Sequence, residues 1–202
     1  MINNRIKKGL MTLVLLALMA HASGLESHAE KSKVGGDFVL TDHNGQPFEL
    51  KSLRGKLVLI FFGYTYCPDI CPTELSSVAQ VLRSLNDQAD QVKALFISID
   101  PERDTPQKLK QYVPYYSPHL IGLTGSVDEV NQVADAYHVQ RKIHPHARDD
   151  KFYLVDHSAS LFVLGADGKI RQIIPFGLPV AHIQEVVNQE LKNINQQTMK
   201  TQ

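Results

Sequence analysis

The sequence has few cysteines, no excess of charge and no long apolar run. Its two cysteines lie within one short segment, so any thiol chemistry belongs to a single site. The 21 basic and 21 acidic residues balance, which excludes the strongly basic composition typical of nucleic-acid-binding proteins. Neither an internal repeat nor a low-complexity segment is present. We therefore expect one compact domain.

The N-terminus carries the features of a secretory signal peptide. Three basic residues precede an apolar run from Leu10 to Ala20, and small residues suited to cleavage follow, ending at Ala22. This run of 11 residues is well short of the roughly 20 that cross a bilayer. Because no cysteine directly follows the run, a lipoprotein anchor at this point is excluded. We expect residues 1–22 to be a cleaved signal peptide, with an uncleaved membrane anchor as the alternative.

The rest of the chain is predicted to form one folded domain. Without residues 1–22 the chain loses three basic residues and keeps 18 against 21 acidic ones, a net charge near −3. This balance also argues against nucleic acid as a partner. With 43% apolar residues, the chain can bury a core of its own. We expect a flexible leader over residues 23–33, the domain over residues 34–192, and a disordered polar tail over residues 193–202.

Apolar strands alternate with amphipathic helices along the domain. The strand Lys56–Phe62 contains an unbroken apolar run from Leu57 to Phe62, which is typical of a strand buried on both faces. An opening hairpin turns at Asn44-Gly45, and a polar, charged loop precedes the last hairpin. The other predicted strands are Phe38–Leu40, Phe48–Leu50, Ala94–Ile99, Leu120–Leu123, Leu161–Leu164 and Lys169–Ile174. This order predicts an α/β fold, a mixed sheet flanked by helices with an N-terminal β-hairpin.

The two cysteines, Cys67 and Cys71, follow the strand Lys56–Phe62 and precede a predicted helix. This places them at the carboxyl end of a central strand, where α/β sheets usually bind ligands. A helix N-terminus also favours the thiolate form. The spacing is compatible with a dithiol redox pair, with two soft metal ligands or with a structural disulfide. The last is disfavoured, because a bridge closing about 5 residues contributes only roughly 2 kcal/mol.

A histidine near the thiols would favour a metal site over a simple dithiol. Thiolates select Cu(I), and an added imidazole makes a site that also holds Cu(II). His157 leads directly into the strand Leu161–Leu164, which places it at the edge of the same sheet. His144 and His146 form a second candidate metal-binding site, although an exposed loop is the favoured interpretation of that segment.

Three blocks of the sequence resemble the Sco/SenC family of copper-binding proteins. These blocks are Phe61–Pro72, Ser98–Pro106 and Asp156–Ser158, and they keep the order found in the family. The resemblance implies a thioredoxin-like fold, with Cys67, Cys71 and His157 as the copper ligands. It also implies a role in assembling the dinuclear copper site of cytochrome c oxidase.

On this resemblance, the protein is expected to be a copper chaperone that passes Cu(I) or Cu(II) to a partner, the expected recipient being subunit II of the oxidase. The alternative is a thiol–disulfide oxidoreductase in which Cys67 and Cys71 reduce cysteines of partner proteins. Only the copper site requires His157. The signal peptide predicts the periplasm or the extracytoplasmic face of the inner membrane, with membrane contact only through an uncleaved N-terminus.

The block Ser98–Pro106 carries two further predictions. Asp100 ends the strand beside the one that bears the cysteines, so we predict that it tunes charge or hydrogen bonding near the metal without binding it. Thr105 and Pro106 form a typical helix start, and Asp104 is expected to support that helix N-terminus.

Overall fold

The computed structural model describes residues 34–144 and 153–200, which form nine strands and four α-helices. The strands are β1 (Val39–Asp42), β2 (Pro47–Glu49), β3 (Leu57–Gly63), β4 (Val92–Ser98), β5 (Leu120–Thr124), β6 (Arg141–His144), β7 (Leu154–His157), β8 (Ser160–Leu164) and β9 (Ile170–Pro175). The helices are α1 (Ile70–Ser84), α2 (Pro106–Tyr116), α3 (Val127–Ala136) and α4 (Val180–Lys200). Short 3₁₀ turns span Leu50–Leu53 and Asn86–Gln91.

Seven strands form one mixed sheet in the order β2-β1-β5-β4-β3-β8-β9. Strand β3 pairs parallel with β4, where Phe61 lies opposite Phe96, and antiparallel with β8, where it lies opposite Leu161. All residues of β3 are buried, as its unbroken apolar sequence predicted. The prediction of a mixed sheet with an N-terminal β-hairpin is therefore confirmed.

The helices cover this sheet and complete the core. Helix α4 packs against β3 and α1, while α2 packs against β5 and α3 against β1. Helix α2 begins as predicted, because the Thr105 hydroxyl accepts a hydrogen bond from the Lys108 N–H and Pro106 occupies the first turn. Helix α3 begins with a capping box between Ser126 and Glu129. Among the described residues, no helix is both long and apolar enough to cross a bilayer.

A two-stranded sheet occupies part of the stretch predicted to be a polar loop, so that prediction is wrong for β6 and β7. The strands pair antiparallel, with Arg141 opposite His157. Each has only four residues, and Val155 is the residue of β7 that reaches the core. A single buried side chain produces no recognisable alternation in the sequence. Residues 145–152, including His146, lie outside the described part of the chain.

The prediction of a disordered tail is also wrong as far as Lys200, where α4 ends. Ile194 packs against the core one turn after the buried Leu191, so the apolar face of the helix extends past the predicted end. The expected signal peptide and the whole of the leader lie outside the described residues.

Candidate metal centre

The two cysteines lie on the loop that leads from β3 into α1. Cys67 precedes the helix, and its backbone N–H donates to the Tyr64 carbonyl over 3.2 Å. Cys71 is the second residue of α1 and is fully buried, whereas Cys67 is half-buried. The loop therefore presents one sulfur near the surface and holds the other beneath it.

Gly63 makes room for the buried sulfur at the end of β3. A methyl group on Gly63 would lie 2.8 Å from Cys71 Sγ and 2.8 Å from the Phe96 ring. These separations are shorter than any ordinary van der Waals contact. The absence of a side chain at Gly63 thus lets the Cys71 sulfur pack directly against the central strand.

The structure brings His157 to the two cysteines, although it is 86 residues from Cys71. The two sulfurs and a ring nitrogen of His157 all lie within 4.8 Å of one another. The imidazole Nε2 lies 3.5 Å from Cys71 Sγ. Within the described residues, no other group of three His, Cys, Asp or Glu side chains converges in this way.

The orientation of the imidazole suits it to metal binding. Its Nδ1 lies 3.1 Å from the carbonyl oxygen of Ser158, and a carbonyl oxygen can only accept a hydrogen bond. Nδ1 therefore carries the hydrogen, which leaves the Nε2 lone pair facing the sulfurs. Phe61 and Tyr64 contact the ring edge-on and hold its plane.

The pKa values of the two thiols are shifted in opposite directions. Hydrogen bonding from the Cys71 thiol to the Cys67 sulfur, helped by the Cys71 backbone N–H, lowers the pKa of Cys67 to about 3. The same pairing, together with burial, raises the pKa of Cys71. The sequence predicted that the helix N-terminus favours thiolate at both positions. For Cys71 that expectation is wrong, because a second negative charge would lie beside the first in a buried site.

Two sulfurs and one imidazole nitrogen form a donor set that fits copper. Thiolate and imidazole are the ligands preferred by Cu(I) and Cu(II), respectively. Cys67 and His157 are both half-buried, so the cluster is accessible from solvent on one side. Three protein donors leave a coordination position open, unlike the closed four-ligand sites of structural zinc.

Asp104 secures the cysteine loop, a role that the sequence did not indicate. Its carboxylate is fully buried and accepts hydrogen bonds from the Thr65 N–H at 2.9 Å and the Thr65 hydroxyl at 2.6 Å. The Ser98 hydroxyl donates to it over 2.7 Å. Asp104 also directly precedes Thr105, the N-cap of α2, but its carboxylate bonds Thr65 and Ser98. Thr65 is distant in sequence, so only the folded structure reveals the pairing.

Asp100 lies two residues after the end of β4, and its carboxylate is buried. Its side-chain partners are Arg103, whose Nε donates over 2.5 Å, and the Tyr153 hydroxyl, which also donates over 2.5 Å. Tyr153 directly precedes β7, the strand that ends at His157. Asp100 is thus connected to the segment that carries the imidazole.

A family model described as SCO1/SenC matches residues 26–192. The SCO2-like protein RC0895 of Rickettsia conorii is 40% identical over 149 residues, which cover 73% of this chain and 72% of that protein. The human mitochondrial protein SCO1 homolog is 42% identical over 146 residues, which cover 71% of this chain and 48% of that protein.

A solved structure with copper is also similar. The structure of Bradyrhizobium japonicum ScoI with copper bound has a TM-score of 0.72 and 41% sequence identity. The match covers 78% of this chain and 99% of that one.

Proposed function

Since this chain belongs to the SCO1/SenC family, we propose that it is an extracytoplasmic copper chaperone that supplies the dinuclear copper site of cytochrome c oxidase. The observation that carries the proposal is the convergence of Cys67, Cys71 and His157 within 4.8 Å. The copper-bound relative from Bradyrhizobium japonicum supports copper as the metal.

Copper is the cargo of this site, and each ligand has a distinct part in capturing it. Cys67 is already a thiolate at neutral pH and is half-buried, so it makes the first bond to an incoming ion. Cys71 gives up its proton as the metal approaches, because the positive charge of copper offsets the repulsion between the two thiolates. The Nε2 lone pair of His157 supplies the third donor.

Release follows from the same arrangement. The half-buried donors, Cys67 and His157, lie on the accessible side of the cluster, while Cys71 remains buried. A thiolate or imidazole of the recipient can enter the open coordination position and displace these two ligands in turn. We propose subunit II of cytochrome c oxidase as the recipient, on the basis of family membership.

Thiol–disulfide exchange is a second function that the acidities of the thiols favour. The Cys67 thiolate would attack a disulfide of a partner, forming a mixed disulfide and releasing one partner thiolate. Cys71 would lose its proton and attack the Cys67 sulfur, releasing the second partner thiolate. The partner gains two electrons, and Cys67 and Cys71 end as a disulfide. This activity would prepare cysteines of a recipient for copper.

The test is a titration of the reduced full chain with Cu(I) under a competing chelator, and separately with Cu(II). We expect one tightly bound copper. His157→Ala should lower the affinity by more than the roughly 10–100-fold that loss of an outer-shell partner costs. The matched control is His119→Ala, which removes an exposed histidine. Equal affinities for unaltered protein and His157→Ala would refute His157 as a copper ligand and favour disulfide exchange as the function.

We also propose that the protein acts in the periplasm or at the extracytoplasmic face of the inner membrane. The proposal depends on the basic and apolar pattern of residues 1–22. Fractionation of cells that express the full chain, with mass measurement of its N-terminus, would test both location and cleavage. Protein recovered from the cytoplasm with residues 1–22 intact would refute it.

A further inference from the structure

The turn between β4 and α2 provides no metal ligand, yet it contacts both segments that do. On one side, Asp104 holds Thr65, two residues before Cys67. On the other side, Arg103 and Asp100 hold Tyr153, four residues before His157. The turn therefore connects the cysteine loop to the strand that carries the imidazole.

Arg103 is at the centre of this connection. Its Nε donates to Asp100 over 2.5 Å, and its Nη1 donates to the Tyr153 carbonyl over 3.0 Å. The guanidinium carbon lies 3.5 Å from the centroid of the Tyr153 ring and 4.7 Å from that of Tyr66, the neighbour of Cys67. Only 13% of the Arg103 side chain is exposed. One planar cation thus contacts residues from both ligand-bearing segments.

The strand that carries His157 depends on such contacts for its position. Strands β6 and β7 form a separate sheet, with no backbone pairing to the seven-stranded sheet in the described residues. Further attachments are the Val155 N–H, which donates to the Tyr64 hydroxyl over 3.2 Å, and Arg141, which donates to the Ile99 carbonyl over 2.7 Å. These side-chain contacts, together with the short connection from His157 to β8, hold the imidazole at the thiols.

We infer that Arg103 is a positioning residue for His157, and that it sets the distance between the imidazole and the two sulfurs through Tyr153 and strand β7. The inference builds on the proposed copper function. Arginine is needed because its rigid, planar guanidinium group donates to Asp100 and to the Tyr153 carbonyl at the same time, while the plane of the group stacks on an aromatic ring. A lysine keeps the charge but is a point donor on a flexible stem, so it cannot maintain both contacts.

The first experiment measures the strand without copper. Amide hydrogen exchange of the reduced full chain would be compared with that of Arg103→Lys. We expect the Val155 amide to exchange at least about tenfold faster in the variant, while the Phe61 amide in the central strand is unchanged. The matched control is Arg171→Lys, which alters an arginine that pairs with Asp167 at the remote β8–β9 hairpin.

The second experiment is a double-mutant cycle on copper affinity, with four full-length proteins: unaltered, Arg103→Lys, His157→Ala and the double variant. If Arg103 acts through His157, Arg103→Lys lowers Cu(I) affinity about 10–100-fold in the unaltered background. It has less than about a twofold effect once His157 is absent. The visible spectrum of the Cu(II)-loaded Arg103→Lys protein should also shift toward that of His157→Ala.

Two results would overturn the inference: unchanged exchange at Val155, or an equal loss of copper affinity in both backgrounds. If the unaltered protein bound no copper tightly, the proposed function would fail, while the exchange experiment would still decide the role of Arg103. Should Arg103→Lys not fold, Tyr153→Phe serves instead. It keeps the ring beside the guanidinium and removes the hydrogen bond to Asp100, so we expect a smaller loss with the same dependence on His157.

Discussion

Asp104 and Thr65 are joined by two hydrogen bonds across 39 residues of sequence. The Thr65 N–H and hydroxyl donate to separate oxygens of the buried carboxylate, at 2.9 and 2.6 Å. Thr65 lies two residues before Cys67, so this contact determines where the cysteine loop leaves β3. A carboxylate that binds no metal thereby helps to place the thiols.

Replacement of Asp104 should therefore affect both stability and copper binding. In Asp104→Ala the Thr65 N–H and the Ser98 hydroxyl lose their buried acceptor, at a cost of about 1–3 kcal/mol. Asp104→Asn should be milder, since its oxygen can accept from these donors while its amide donates to the Thr65 hydroxyl. Urea unfolding and Cu(I) competition measure both effects. Equal behaviour of the two variants would contradict this account.

Substitution of Gly63 by alanine should displace the buried sulfur. The added methyl group meets Cys71 Sγ and the Phe96 ring at 2.8 Å, and both are enclosed in the core. We expect a loss of about 1–3 kcal/mol in stability, as for other overpacked sites, with weaker copper binding. Gly45→Ala, at an open turn position with a φ of +78°, is a control that strains the chain away from the site. Wild-type copper affinity in Gly63→Ala would show that the sulfur does not need this space.

The two thiols should react with alkylating agents at very different rates. Cys67 is half-buried and its pKa is about 3, so its reaction with iodoacetamide should change little between pH 5 and pH 8. Cys71 is fully buried and its pKa is raised, so it should react slowly. Peptide mass spectrometry of the reduced, metal-free protein measures both rates. Faster labelling of Cys71 would reverse the assignment of the thiolate.

Glu74 should make stability depend on pH. Its side chain is buried on α1, and one carboxyl oxygen, Oε1, has no hydrogen-bond partner. Burial raises the pKa of Glu74 from 4.5 to about 7. Between these values the folded chain holds a proton that the unfolded chain releases. The stability that the folded chain has while Glu74 is protonated is therefore fully present below pH 4.5, and it is lost as the pH rises through 7.

A comparison of the unaltered protein with Glu74→Gln isolates that contribution. Relative to the variant, the unaltered protein should become less stable in urea as the pH rises from 4.5 to above 7. Glu185→Gln, on the exposed face of α4, should show no such difference. A stability difference between the unaltered protein and Glu74→Gln that stays constant with pH would mean that the folded protein does not hold the proton.

The sheet and the family were predictable because their signals are local. The unbroken apolar sequence of β3 predicted a strand buried on both faces, and the structure confirms it. The three blocks that resemble the Sco/SenC family predicted the family and its thioredoxin-like fold. The family match over residues 26–192 confirms the family, and the similarity to copper-bound ScoI confirms the fold. The short strands β6 and β7 were missed, because they depend on tertiary contacts and not on a periodic pattern.

By itself the sequence determined that both thiols share one loop after a central strand, since residues five positions apart or fewer cannot separate far in space. It also singled out His157 as the third candidate ligand. Only the tertiary structure decided how these groups meet and what holds them. The unequal acidities of Cys67 and Cys71, the space at Gly63 and the contacts of Arg103 and Asp104 arise between segments remote in sequence. Such contacts depend on distances that no local pattern of residue types specifies.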